Sequence, residues 1–282
     1  MSIIIDDLYS ELISHFGLIE QLKFRCTNKF HLNNINSDLL KELFNFKTNY
    51  SKDKINFINV CKFGYLNLAK WLYELGADIH AGDECAFRWS CVNGHIEIAK
   101  WLHQLDANSH VDNEFTFIWT CKNGHIEIAK WLHQLGANIH VDNEYAFTLS
   151  CKNGHIGIAK WLHQLGANIH IDDEYAFRYS CSYGQIEIAK WLHELDADIH
   201  VDREYAFRWS CKNGHIEIAE WLHQLSANIH VDNEYAFRWS CQNGHIEIAK
   251  WLHQLGADIH AQDDYVFKNS PKKIIDWLNT LQ

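Results

Sequence analysis

The chain has 282 residues, of which 47% are hydrophobic and 13% aromatic, and its 36 acidic residues outweigh 25 basic ones for a formal net charge of −11. That composition supports a large buried core and excludes a disordered polymer. The negative balance argues against nucleic acid or an anionic membrane as the main partner, and no apolar run approaches the roughly 18 residues needed to cross a bilayer.

The chain opens MSIIIDDLYSEL, a short apolar run followed by acids with no basic stretch, so it does not read as a secretory signal. Leu8, Leu12 and Phe16 fall at helical spacing, as do Leu18 and Leu22, and SDLLKELFNF makes a third amphipathic stretch. Residues 1–50 are therefore expected to form a small helical segment of their own.

From residue 54 the chain repeats every 30 residues, in seven units: 54–83, 84–113, 114–143, 144–173, 174–203, 204–233 and 234–263. Trp recurs in step at 71, 101, 131, 161, 191, 221 and 251, and so do seven of the nine cysteines, at 61, 91, 121, 151, 181, 211 and 241. A fixed period of this size means stacked supersecondary units that bury their neighbours' faces. One Cys per unit at constant spacing is not a disulfide framework. Reduced, buried thiols in the cytoplasm or nucleus are expected.

Each unit reads as two helices. In EYAFRWSCKNG, Ala206, Phe207, Ser210 and Cys211 share one face at 100° per residue, and Tyr205, Arg208, Trp209 and Lys212 lie around the other. Gly214 is a natural helix stop. In HIEIAEWLHQL, Ile218, Ala219, Trp221, Leu222 and Leu225 form the apolar arc, and SANIHVDN reads as a connecting loop. Residues 264–282 lose the Cys-Lys-Asn-Gly element and read as a cap, with Ser270-Pro271 as N-cap and first residue of a last helix and Lys272, Lys273, Asp276 and Asn279 facing water. The fold expected is an all-α helical-repeat solenoid.

The periodic Cys and His raise the question of zinc, with Cys121 and His125 joined by His133 or His140. Four ligands must converge tetrahedrally. Cys121 falls on a buried face and His133 on a polar one, and Gln185 and Tyr65 replace His125 in other units without loss of the pattern. No metal site, cofactor or catalytic residue is expected. Seven equivalent buried thiols are the opposite of one activated nucleophile, and no phosphate loop, G-x-S-x-G or HExxH occurs.

NGHIEIAKWLHQLGANIH resembles the ankyrin repeat, whose second helix and exit loop run G-H-x-E-[IV]-V-x-x-L-L-x-x-G-A-D-V-N. Gly124, His125, Glu127, Leu132, Gly136 and Ala137 carry the likeness. The Thr-Pro start of the family's first helix is missing, and the unit has 30 residues in place of 33. The shortening falls in the loop that forms the family's projecting finger, so blunt fingers or none are expected. The resemblance implies protein partners held on the outer face of the first helices. That face varies most between units and assigns a partner groove to Arg88, Trp89, Trp119, Thr148, Leu149, Arg178, Tyr179, Ser182, Tyr183, Arg208, Trp209, Lys212, Arg238 and Trp239. The alternative is an aromatic ladder between repeats that serves stability alone.

Residues 1–50 also resemble an F-box, with Leu8-Tyr9-Ser10-Glu11-Leu12 at its start and Cys26-Thr27-Asn28-Lys29-Phe30 at its end, although the family's proline is absent. That resemblance implies docking through Leu8, Glu11, Leu12, Leu18, Leu22 and Phe30 on the linker subunit of a cullin–RING ubiquitin ligase. An F-box-like segment ahead of near-identical ankyrin-like repeats is similar to proteins encoded by large DNA viruses. The expectation is a monomeric, non-enzymatic adaptor that recruits a protein substrate. The alternative is a stand-alone scaffold or decoy with 1–50 only a cap.

Overall fold

The computed structural model describes residues 56–107 and 113–281. The F-box-like positions Leu8, Glu11, Leu12, Leu18, Leu22 and Phe30 lie outside the described residues. Sixteen helices and no strand occur among the described residues, in the order α1 Phe57–Lys62, α2 Leu66–Glu74, α3 Ala81–Val92, α4 Ile96–Gln104, α5 Asn113–Lys122, α6 Ile126–Gln134, α7 Val141–Lys152 and α8 Ile156–Gln164. They continue as α9 Ile171–Ser182, α10 Ile186–Glu194, α11 Val201–Lys212, α12 Ile216–Gln224, α13 Val231–Gln242, α14 Ile246–Gln254, α15 Ala261–Asn269 and α16 Lys272–Leu278. The chain divides into two units, one reaching to Thr120 and including His125–Ala137, the other made of Cys121–Gly124 and Asn138–Gln282. Both are all-α and built of the same helix pairs, the solenoid expected from the period.

In the second unit the first helices of successive repeats, α7, α9, α11 and α13, pack side by side. The residues that make this possible are small: Ala206 and Ser210 are fully buried, as are Phe207 and Cys211 beside them. The Ser210 hydroxyl donates to the Phe207 carbonyl at 2.8 Å, so this hydroxyl is not left bare in the interface. The second helices bury Ile218, Ala219 and Leu222. Their tryptophans bridge repeats. Trp221 lies 6.3 Å from Phe177 and 5.7 Å from His193, both of the preceding repeat. The same pair of contacts recurs at Trp251 with Phe207 and His223, and in the first unit at Trp131 with Phe87 and His103. The histidine on the polar side of the second helix is thus a packing partner, edge-on to an indole.

The periodic cysteines are buried thiols. Burial pushes Cys151, Cys181 and Cys211 far above the ordinary thiol range and Cys241 up to about 12. Such groups stay protonated and inert at neutral pH.

Between repeats no projecting strand pair occurs among the described residues, in keeping with the shortened loop. The chain passes from His200 into α11 through one turn of left-handed backbone, with Asp202, Arg203 and Glu204 at φ 48, 52 and 59°. The same three positions are left-handed at Asp142–Glu144, Asp172–Glu174 and Asp232–Glu234. An L-residue held there costs roughly 1–2 kcal/mol, so each turn needs outside support. At the C-terminal cap, Lys272, Lys273, Asp276 and Asn279 face water as expected. The cap itself is displaced by one residue. Pro271 flanks the last helix, and Ser270 makes no cap bond, its hydroxyl being buried without a partner.

Candidate partner-binding face

Tyr205, Arg208, Trp209 and Lys212 recur at i, i+3, i+4 and i+7, so α11 carries them on one face, opposite the buried Ala206 and Cys211. What each does depends on the neighbouring repeat. Arg208 folds back along its own helix, its Nε and Nη2 donating to the carbonyls of Arg203 at 2.7 Å and Asp202 at 2.8 Å. Its Nη1 pairs with Asp232 of the next turn at 3.0 Å. The guanidinium also lies 4.9 Å from the centre of the Tyr235 ring. Arg238 repeats the pattern on Asn233, Asp232 and Tyr265. Arg178 keeps the Asp172 carbonyl, the Asp202 pair and the Tyr205 ring, while its Nε is buried without a partner. The arginines support the left-handed turns by charge-assisted bonds to carbonyls. Replacing Arg208 by methionine keeps the stem but strands those carbonyls and leaves Asp232 with Arg203 alone. It is expected to cost about 1–3 kcal/mol in urea unfolding, whereas Arg203→Met at the exposed turn tip is expected to leave stability almost unchanged.

Each turn has a second support. His200 Nδ1 donates to Glu204 Oε1 at 2.8 Å, and the bond recurs at His140–Glu144, His170–Glu174 and His230–Glu234 over 2.6–2.7 Å. The carboxylates are buried and the imidazoles half exposed. In the first unit Glu84 holds His80 above the usual imidazole value of 6.5 through the same bond. Two histidines that begin second helices are shifted oppositely. His95 and His215 are held below 6.5 by burial, partly offset by the carbonyl that each donates to, Lys62 and Ser182. Proton resonances of His80 are therefore expected to titrate above pH 6.5 and those of His95 and His215 below it. Since the folded state holds the His80 proton more tightly, that contribution is complete below 6.5 and lost as pH rises through the raised value. For His95 and His215 the sign reverses, and stability falls as pH drops from 6.5 through the lowered values.

Lys212 shows what remains of the face. Its ammonium lies 4.0 Å from the Trp209 ring and 4.2 Å from Trp239 of the next repeat, and burial lowers its pKa. Lys152 is placed likewise, 5.2 Å from Tyr179 and 4.4 Å from Tyr183. Within helices, Tyr205 stacks on Trp209 at 5.3 Å. Aromatic rings and cations thus alternate across the repeats, so ladder contacts do exist. Their outer surfaces are still open to solvent: Tyr183 is 48% exposed, and Tyr179, Trp209, Lys212 and Trp239 are half-buried.

The structure sorts the sequence-predicted groove residues by depth. Thr148, Leu149, Ser182, Arg208 and Arg238 are buried. Ser182 offers its carbonyl to Asn213 and His215. In the first unit Trp89 is 39% exposed with Lys62 above it, Arg88 donates to the Gly82 carbonyl, and Trp119 lies half-buried against Phe115. Sequence reasoning missed Tyr205, Tyr235, Lys152 and the turn aspartates. The aspartates were detectable as the acid that stands 24 residues after two arginines of the row, Asp202 after Arg178 and Asp232 after Arg208, with Gln262 breaking the rule after Arg238.

Among the described residues no group of three or more His, Cys, Asp or Glu side chains could hold a metal ion, and no helix is long and apolar enough to cross a membrane. The residues of the zinc question are spoken for separately: Cys121 is buried, His125 lies over Gly94, and His140 donates to Glu144. A family model described as ankyrin repeats (3 copies) matches residues 57–143, 87–173, 117–203 and 177–263. A search of curated proteins returns no match. With the matches running from 57 to 263, on helix pairs stacked at the same period, the chain belongs to the ankyrin-repeat family, whose arrays are protein–protein interaction modules.

Proposed function

We propose that the chain captures a protein partner on the outer face of its first helices, and that it presents this partner to a cullin–RING ubiquitin ligase through residues 1–50. The observation that supports the binding face is the run of half-open aromatic rings with cations seated between them, Tyr179, Tyr183, Trp209, Lys212 and Trp239. Large amphipathic rings and cations are the residue types that dominate interface energetics, and here their rotamers are fixed in advance by stacking, which lowers the entropy lost on binding. The arginines serve this face indirectly, by holding the turns. A test should therefore leave them in place. Tyr183→Ser with Lys212→Glu is expected to abolish partner capture with helicity unchanged, and capture that survives the pair refutes the face.

The ligase role rests on the F-box resemblance of residues 1–50. Leu8→Asp with Leu12→Asp is expected to abolish co-purification of the cullin and its linker subunit while partner capture persists. If neither subunit accompanies the unaltered chain, the role is that of a stand-alone scaffold or decoy.

A further inference from the structure

The row of cations that holds the left-handed turns of the second unit is broken at one place. Arg178, Arg208 and Arg238 each donate to the carbonyl six residues back and lie 4.9–5.1 Å from the tyrosine ring 27 residues ahead. In the repeat 144–173 the position is Thr148, whose hydroxyl donates only to the Tyr145 carbonyl. The turn it should serve is built as the others are, with Asp142, Asn143 and Glu144 at φ 48, 54 and 57°.

Counting outward from Thr148 as from Arg208, four groups stand in the register of the Arg208 partners. They are the carbonyls of Asn143 and Asp142, the carboxylate of Asp172 and the face of Tyr175. Asp172 makes no ion pair among the described residues, whereas its counterparts Asp202 and Asp232 pair with Arg178 and Arg208. Tyr175, with no cation on it, lies flat on Tyr179 at 4.1 Å, against 5.3 Å and 5.6 Å for the equivalent pairs at Tyr205 and Tyr235.

The geometry points to an arginine side chain of the protein partner as the group that completes this row. Its guanidinium would donate to the Asp142 and Asn143 carbonyls, pair with Asp172 and lie on Tyr175, the full set of contacts that Arg208 makes two repeats further on. Thr148 is buried, so the guanidinium enters above it, and Tyr175 leaves its stack on Tyr179 to receive it. A lysine fills such a place less completely: Lys268, at the same position of the last repeat, donates to the Asp263 carbonyl alone. The site offers two carbonyls and a carboxylate together, which suits a planar fork of donors and not a point charge. This inference rests on the first-helix face being the partner surface.

The test titrates N-acetyl-arginine amide and N-acetyl-lysine amide onto the full chain with isotope-labelled tyrosine. A saturable shift of the Tyr175 resonances is expected with the arginine probe, at millimolar concentration, and a response about tenfold weaker with the lysine probe. Thr148→Arg supplies the missing group from within. It is expected to abolish the shift and to raise the unfolding midpoint. No saturable shift at Tyr175, equal response to both probes, or undiminished binding by Thr148→Arg overturns the inference. Failure here is separable from failure of the binding face: a silent Tyr175 together with capture that depends on Tyr183 and Lys212 refutes the arginine site alone.

Discussion

Phe207→Ala should destabilise the folded chain by about 3–5 kcal/mol, more than the loss of the Arg208 brace. The ring is fully buried, and it lies 6.3 Å from Trp251 of the following repeat. Its removal takes contacts from two repeats at once, because the first helix of one unit supports the second helix of the next. The void cannot close easily. Ala206 and Ser210 beside it are already small and fully buried, and Cys211 is pinned on the same face. Urea unfolding followed by far-UV circular dichroism measures the loss. Trp251 fluorescence should change in the native state as well, since the indole loses its neighbour. A loss under about 1 kcal/mol, well below the range for a buried ring, would mean that the repeats do not lean on one another through this side chain.

Gly184→Ala comes second, at about 2–4 kcal/mol, and has two separable causes. Gly184 sits at φ +80°, where an alanine is strained by roughly 1–2 kcal/mol. The added Cβ would also stand 2.8 Å from Cε1 and Nδ1 of His215, in the next repeat. That ring is held by its bond to the Ser182 carbonyl at 3.1 Å, so moving it breaks a bond between repeats. Gly166→Ala is the control. Its φ is +100°, and a Cβ there meets nothing within 4 Å. The control should show the strain alone, and the difference between the two variants is the cost of displacing the histidine. Equal losses would show that the Gly-His pair is a local turn and not an inter-repeat contact.

The buried faces were readable because they need only one helix to be seen. A 100° wheel places Ala206, Phe207, Ser210 and Cys211 together, and all four are fully buried. The expectation of blunt fingers or none came from counting residues between Ile-His and the next helix, and no strand occurs there among the described residues. What a single wheel cannot show is a contact whose partner lies a repeat away. Arg208 and Arg238 fall on the outer arc of the wheel, yet they are buried, because the turn before the helix winds left-handed and offers them its carbonyls. No residue pattern marks three consecutive left-handed positions at non-glycine residues such as Asp202, Arg203 and Glu204. A signal for the second support did exist. His-x-x-x-Glu recurs at His140–Glu144, His170–Glu174, His200–Glu204 and His230–Glu234, and the spacing of four puts both groups on one side of a turn. Glu84, Glu144, Glu174, Glu204 and Glu234, which begin their units, are in fact the buried acceptors of a histidine near the end of the unit before.

The same distinction governs the candidate site. Residue type located the face, but depth divided its members into those that could touch a partner and those that hold the turns. Trp209, Lys212 and Tyr183 remain accessible, while Thr148 and Ser182 are buried. Thr148 gains meaning only beside Arg178, Arg208 and Arg238, as the position where a repeated brace is missing.

The most direct measurement of the binding account is site-specific photo-crosslinking in the native cell. A photoreactive phenylalanine analogue is placed at Tyr183, exposed on the first-helix face, or at Glu187, exposed on the second helix of the same repeat. Crosslinking of one discrete protein from position 183 and none from 187 is the predicted result. Adducts at 187 with none at 183 would contradict the account.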